Sequence, residues 1–205
     1  MKEILLEFYV NKYNYLKNSN EIDLSFIPPI MRRRMSIVDK YILSVLNNIY
    51  SDNIENIVFS SQYGEVERLI KLINQYTENK EVSPNAFSGS VHNYSEGFFL
   101  LNKQKSIPYT AVSSCEHSIS MGFLSAVVSN YNNIIFCYVD VDTNSDNQSA
   151  FAINLTKTPE SDTIKYTIKL KNNPITKDDF DNYIKLFSGN ITTLKTPIYS
   201  IERAV

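Results

Sequence analysis

Residues 83–118, SPNAFSGSVHNYSEGFFLLNKQKSIPYTAVSSCEHS, decide the fold class. Within them an apolar strand, Tyr109–Val112, runs into the small residues Ser113, Ser114 and Cys115 and then into a helix that starts near Ser118. A strand that turns sharply into a helix holds one side chain out at the mouth of an α/β sheet. The helix N-terminus then favours negative charge on that side chain. Cys115, Glu116 and His117 are the reactive groups at this turn. The same residues also suit an ordinary helix start, because Ser, Glu and His are common in a first turn.

On either side of this elbow the apolar period changes repeatedly. Upstream, residues 4–10 read as a strand and residues 11–35 as an irregular connection. Ile37–Tyr50 carries Val38, Tyr41, Ile42, Val45, Leu46 and Ile49 at helical spacing. Ile54–Ser60 is a short continuous apolar run, the pattern of a strand buried on both faces. Glu65–Tyr76 is a second amphipathic helix, with Val66, Leu69, Ile70 and Ile73. A polar loop over 77–90 leads to a helix over Val91–Leu101. Downstream of the strand over 109–113, the elbow helix extends over 118–129. NIIFCYVDV (133–141) is another buried strand. Phe151–Thr156 and Thr163–Leu170 read as strands joined by the turn Lys157–Asp162, with Ile164, Tyr166, Ile168 and Leu170 on one face. A helix over 176–187 opens at a capping box of Thr176 and Asp179, and the tail is short and mixed. Strands alternate with helices to about residue 141, and two adjacent strands follow. That order predicts an α/β fold: a three-layer, mostly parallel sheet with an antiparallel pair near the C-terminus.

With 205 residues and 43% hydrophobic content, the chain is expected to form one domain over 1–205. Such a domain removes about 70% of its unfolded surface from water, enough for a core without staples. A net charge of −2 gives no basic excess for nucleic acid or an anionic membrane. No apolar run reaches the roughly 18 residues of a membrane-spanning helix. The charged N-terminal run reads as a strand and not as a signal peptide. Two cysteines and two histidines, not at ligand spacing, make no credible zinc set. Two free thiols suit a reducing cytoplasm.

Three constellations could carry chemistry. The first is the elbow itself, Ser114 to Ser118. Glu116 at its tip would be a carboxylate over amide donors. The second is Ser90-Val91-His92-Asn93, where His92 could be a base or a donor in a pocket; a lone histidine at a helix start is more often a structural hydrogen-bonder. No spacing argument brings it to Cys115. The third is Pro28-Pro29 followed by Arg32, Arg33 and Arg34, which could grip a phosphate or an acidic carrier protein, or form a solvated basic turn. Asp140 and Asp142 alternate on a strand end, with nothing nearby to complete a metal site.

The segments IPPIMRRRMS (27–36), SSQYGE (60–65), SPNAFSGSVHN (83–93) and TAVSSCEHS (110–118) together resemble the stand-alone β-ketoacyl synthase-like N-terminal domain family of the thiolase-like superfamily. These chain-length-factor-like proteins accompany aryl-polyene and related fatty-acid-type pathways. The resemblance covers most of residues 1–140. It implies half of a thiolase-like fold, no cofactor and no metal. In complete ketosynthases the elbow holds a nucleophilic cysteine, and the second half supplies two histidines. The register implied here puts Glu116 in the nucleophile slot, with Cys115 one residue early; a slip of one residue would make Cys115 the nucleophile. The implied function is an accessory subunit that does not condense acyl chains alone, partnered by a ketosynthase, an acyl carrier protein or a second copy. The missing second half would leave an apolar layer uncovered. The implied roles are catalytic or vestigial for Glu116, Cys115 and His117, substrate-binding or structural for Ser90, His92, Asn93 and Ser118, and carrier contact for Arg32, Arg33 and Arg34. Two alternatives stay open. One is a small acyltransferase or thioesterase using Cys115 with His92 or His117; the other is a scaffold without a ligand.

Overall fold

Strand β4 (Asn133–Val141) shows how the apolar runs are used. Its residues alternate between two cores. Ile134, Phe136 and Tyr138 face one, and Ile135, Cys137, Val139 and Val141 face the other. A strand covered on both sides has no polar face, so its sequence reads as one continuous apolar stretch. The computed structural model describes residues 5–142, 147–171, 173–175 and 177–204.

The other strands are β1 (Leu5–Lys17), β2 (Asn56–Ser60), β3 (Tyr109–Val112), β5 (Gln148–Thr156), β6 (Ile164–Leu170), β7 (Thr193–Lys195) and β8 (Tyr199–Arg203). They form one eight-stranded sheet in the order β3-β2-β4-β5-β1-β6-β8-β7. Helices α1 (Pro29–Arg32), α2 (Ile37–Ile49), α3 (Val66–Asn79), α4 (Pro84–Ser88), α5 (Tyr94–Asn102), α6 (Ser118–Val128) and α7 (Phe180–Ser188) complete the chain. Helices α2 and α5 cover one face of the sheet, while α6 and α7 cover the other. The three-layer α/β expectation therefore holds. Parallel pairing joins β3, β2 and β4. Antiparallel pairing begins at β4–β5 and continues through β5–β1, β1–β6, β6–β8 and β8–β7, so five of the seven pairings among the described residues are antiparallel and the parallel part is confined to β3, β2 and β4.

Local chemistry sets several boundaries. Ser36 and Asp39 form a reciprocal capping box at the start of α2: the Asp39 N–H donates to Ser36 Oγ at 2.9 Å, and the Ser36 N–H donates to the Asp39 carboxylate at 3.0 Å. Gly122 lets α6 lie close on the sheet, since a Cβ there would come within 2.6 Å of Ser60 Cβ. On β6, Tyr166 and Ile168 are buried with Ile164 packed beside them, as the alternation predicts, but Leu170 at the strand end is exposed.

Four expectations need correction. β1 runs on to Lys17 instead of ending at Val10, because β5 pairs with its polar second half past a register shift between Val10 and Lys12. The loop over 77–90 contains α4, and α5 starts at Tyr94, after a turn over 90–93. The C-terminal helix starts at Phe180, where Asp179 accepts from the Asp181 and Asn182 N–H groups; Thr176 lies outside the described residues. The tail supplies β7 and β8, which close the far edge of the sheet.

Candidate functional site: the elbow and its cleft

The carboxyl ends of the parallel strands β3, β2 and β4 meet at one edge, where open α/β sheets bind ligands. After β3 the chain passes Ser113 and Ser114, makes a single 3-10 turn over Cys115–His117, and enters α6. Ser118 ties this elbow together: buried Ser118 Oγ accepts from the Ser114 N–H at 3.0 Å and donates to the Cys115 carbonyl at 2.7 Å.

The strained residue of the elbow is Cys115, with φ of 49° and an exposed thiol. A left-handed backbone at a non-glycine residue costs about 1–2 kcal/mol and persists only where the surroundings hold it. Backbone geometry thus marks Cys115 as the tip, and Glu116, also exposed, follows it. Glu116 is not held over the amides of α6. That place belongs to Asp178, whose carboxylate accepts from the Ser120 N–H at 2.7 Å while its own N–H donates to the Glu116 carbonyl at 2.9 Å. Burial raises the Asp178 carboxyl above its usual range, against hydrogen bonds from Ser120 that lower it. Half-buried His117 has an Nδ1 without a hydrogen-bond partner among the described residues.

His92 sits across from the elbow. Its Nε2 shares a 2.6 Å hydrogen bond with Ser61 Oγ, and its ring lies 5.1 Å from that of Phe59. Burial lowers its pKa, so the imidazole is neutral at physiological pH. Gly64, at φ +53°, lets the loop after β2 close over it; a Cβ there would lie 3.0 Å from His92 Cδ2. His92, Ser90 and Ser113 line one cleft of about 340 Å³ with Gln62, Val66 and Leu69. The structure therefore brings the Ser90–Asn93 turn to the elbow, as the two motifs separately could not show. It does not hydrogen-bond either histidine to Cys115 among the described residues. Ser90 Oγ donates to the Phe87 carbonyl at 2.7 Å, and Asn93 occupies the N-cap position of α5 without a side-chain cap bond.

Asp140 proves structural. Its carboxylate accepts from the Gln62 and Tyr63 N–H groups at 2.9–3.0 Å, and the Tyr138 hydroxyl donates to it. It thereby anchors the β2–α3 loop that shapes the cleft. No metal-binding cluster occurs among the described residues. The two thiols lie apart, Cys115 exposed and Cys137 in the core, where burial pushes its pKa up. Of the three arginines, Arg34 lines an adjoining cleft that shares Gly64, Glu65 and Val66 with the first; Arg32 and Arg33 line neither.

One cluster escaped the sequence reading. Fully buried Asp39 accepts from Arg68 Nη2 at 2.9 Å and from Ser95 Oγ at 2.6 Å. Glu65 accepts from Ser36 Oγ at 2.6 Å and lies 3.4 Å from Arg68 Nε. Arg68 also donates to the Gly89 carbonyl. Beneath them Glu96 is wholly buried, and neither carboxyl oxygen has a partner among the described residues. Burial first, and then the Asp39 charge, raise the Glu65 pKa to about 7; burial chiefly raises Glu96 to about 8. A glutamate inside the apolar run YSEGFFLL was the available signal.

Comparison with known proteins agrees with this architecture. The chain superposes on a structure of a ketosynthase (ApeO) in complex with its chain length factor (ApeC) from Xenorhabdus doucetiae. The TM-score is 0.76 at 15% identity, over 97% of this chain and 100% of the matched one. An ishigamide ketosynthase/chain length factor matches at 0.59 and 10% identity over 74% of this chain and 52% of the other. A β-ketoacyl synthase from Burkholderia phymatum STM815 matches at 0.56 and 11% identity over 85% and 58%. The chain thus spans only about half the length of these last two. At such identities the likeness speaks for the fold, which is the thiolase-like half fold expected. No helix among the described residues is long and apolar enough to cross a membrane. No curated protein matches the sequence. Residues 9–171, most of the chain, match the β-ketoacyl synthase N-terminal domain, and the chain belongs to that family.

Proposed function

We propose that this protein is an accessory, ketosynthase-like subunit of acyl-chain biosynthesis, of chain-length-factor type, acting in the cytoplasm beside a catalytic ketosynthase and an acyl carrier protein. The observation that carries the proposal is a strand-to-helix elbow with the outline of a condensing site, on a fold shared with ketosynthase and chain-length-factor chains. His92, the histidine in the cleft, is engaged with Ser61. Condensation needs a group to activate the nucleophile and others to stabilise developing charge. The relatives with this fold include chains named as a ketosynthase in complex with a chain length factor. Arg34, at the adjoining cleft, is the arginine best placed to meet an acidic carrier protein; Arg33 is exposed and adds to the same charge. Glu116, exposed beside Cys115, would contact a carrier-borne substrate in this reading. Condensation assays with acyl carrier protein and a partner ketosynthase test this reading. Product should form only when the ketosynthase is present, and its amount or chain length should change when this chain is added. Condensation by this chain alone would overturn it.

A second reading, acyl transfer or thioester hydrolysis through Cys115, draws on one observation: Cys115 is the strained, exposed residue at the start of a helix. Rapid acylation by acyl carrier protein, lost in Cys115→Ala, would favour it. A thiol inert to iodoacetamide at neutral pH would count against it.

A further inference from the structure

Ser61 lies fully buried just past the end of β2, and its Oγ has one hydrogen-bond partner among the described residues, His92 Nε2 at 2.6 Å. Two arrangements satisfy that distance. In the first, the Ser61 hydroxyl donates to Nε2, and the imidazole carries its proton on Nδ1. In the second, Nε2–H donates to Ser61 Oγ, and the hydroxyl proton is left without an acceptor where water does not reach. A buried donor left unspent is the costlier arrangement, so the first prevails. The bond at one ring nitrogen decides what the other carries. The Cδ2–Nε2 edge of the ring lies against Gly64 and Ser61. Nδ1, on the other edge, bonds to nothing among the described residues and is not buried; the space it meets is the cleft that His92 lines. Burial lowers the His92 pKa and keeps the ring uncharged.

We infer that Ser61 fixes His92 as an Nδ1–H donor, and that this cleft binds a small uncharged ligand through its carbonyl oxygen. The rest of the wall favours such a ligand. The cleft holds about 340 Å³, the scale of a small-molecule site, and neither lysine nor arginine lines it. An anion would meet no cation there and would face the carboxyl group of Glu65. A cationic ligand would bring its own donors to a donor. Val66 and Leu69 supply apolar wall for the body of an acyl group, and Gln62 adds a side-chain amide. An Nδ1–H turns no lone pair into the cleft, so His92 serves as a donor there and not as a base. Ser61 is a positioning residue that acts through the ring. The inference concerns this cleft and does not depend on the accessory role proposed above.

Long-range proton–nitrogen NMR of the purified chain at neutral pH provides the test. His92 is expected as the Nδ1–H tautomer, and Ser61→Ala should give a mixture of tautomers. Titration with S-acetyl-N-acetylcysteamine, an uncharged thioester that also carries an amide, should shift the His92 Nδ1 signals. Acetate should bind at least tenfold more weakly. N-methylacetamide, run in parallel, separates the two carbonyl sources: a matching response assigns an amide, a response to the thioester probe alone assigns the thioester, and either supports the inference. His92→Asn places an amide N–H near the Nδ1 position and should keep part of the binding. His92→Gln, which reaches only the Ser61 side, should lose it with the fold intact by circular dichroism. An Nε2–H tautomer or an imidazolium in the free protein would overturn the inference. So would the absence of any His92 response to both carbonyl probes, equal binding of acetate, or binding indifferent to His92→Gln. The condensation assay decides the accessory role separately.

Discussion

Helices α3 and α6 each follow a parallel strand at the site edge, and both are rich in apolar residues, yet they end in opposite environments. α6 is buried along most of its length, with Met121 and Val128 exposed on its outer side. Its Phe123 lies 5.3–6.4 Å, ring centre to ring centre, from Phe8, Phe136, Tyr183, Phe187 and Tyr199. The Tyr199 hydroxyl donates to the Ser120 carbonyl at 3.0 Å. These contacts come largely from α7 and β8, the C-terminal part where the family resemblance fades. The inner face of α6 is therefore covered in part by the chain's own C-terminal elements. α3 received no such cover; apart from buried Leu72, its tie to the body is polar, through Arg68, Asp39 and Glu65. Apolar periodicity shows that a helix has a face to bury; it does not say which molecule supplies the other side.

The largest effect is expected at α6. Phe123→Ala should cost about 3–5 kcal/mol of stability, read in urea unfolding, because five rings lose their common neighbour. If the loss is below about 1 kcal/mol, the C-terminal cover is not the packed layer described. At α3 the matching experiment is Arg68→Met. It leaves Asp39 buried without its cation and should cost roughly 3 kcal/mol, with hydrogen exchange in α3 accelerating before the rest of the chain. Uniform exchange would show that α3 is held by something other than this hub. By contrast Ile73→Lys, at an exposed position of α3, should change stability by less than about 0.5 kcal/mol.

The hub beneath α3 also predicts a pH dependence of stability. Glu96 and Glu65 have pKa values raised from 4.5 to about 8 and about 7, chiefly by burial. The folded chain therefore holds their protons at pH values where the unfolded chain has released them. Their contribution is present in full below about pH 4.5 and is lost as pH rises through 7 to 8. Unfolding free energy should fall by a few kcal/mol between pH 5 and pH 8.5, and Glu96→Gln should flatten most of that slope. A wild-type slope equal to that of Glu96→Gln would mean that the buried carboxyl titrates normally. A smaller effect than these is expected at the elbow. Cys115→Gly removes the left-handed strain and should raise stability by up to about 1 kcal/mol. A loss there would show that the thiol packs more than it strains.

Much of the fold was legible where short-range chemistry governs it. The unbroken run of β4, the helical spacing of α2, the alternation of β6 and the strand-to-helix elbow all rest on nearby residues. The polar end of β1 was not legible, because only pairing with β5, some 140 residues away, makes NKYNYLK a strand. The hub was hidden for the same reason. Asp39, Glu65, Arg68 and Glu96 look like solvated charges until three helices bring them together.

At the elbow the division is sharpest. Residue types alone established a small-residue turn with a thiol, a carboxylate and an imidazole in consecutive places, and the family that builds such a turn. They could not say which of the three stands at the tip. That depends on one backbone angle at Cys115, held by Ser118 below and by Asp178 reaching in from the far end of the chain. The fates of α3 and α6 divide in the same way. Their apolar faces are written in the local period, but burial requires a partner surface, and only the assembled chain shows that α6 has one and α3 does not.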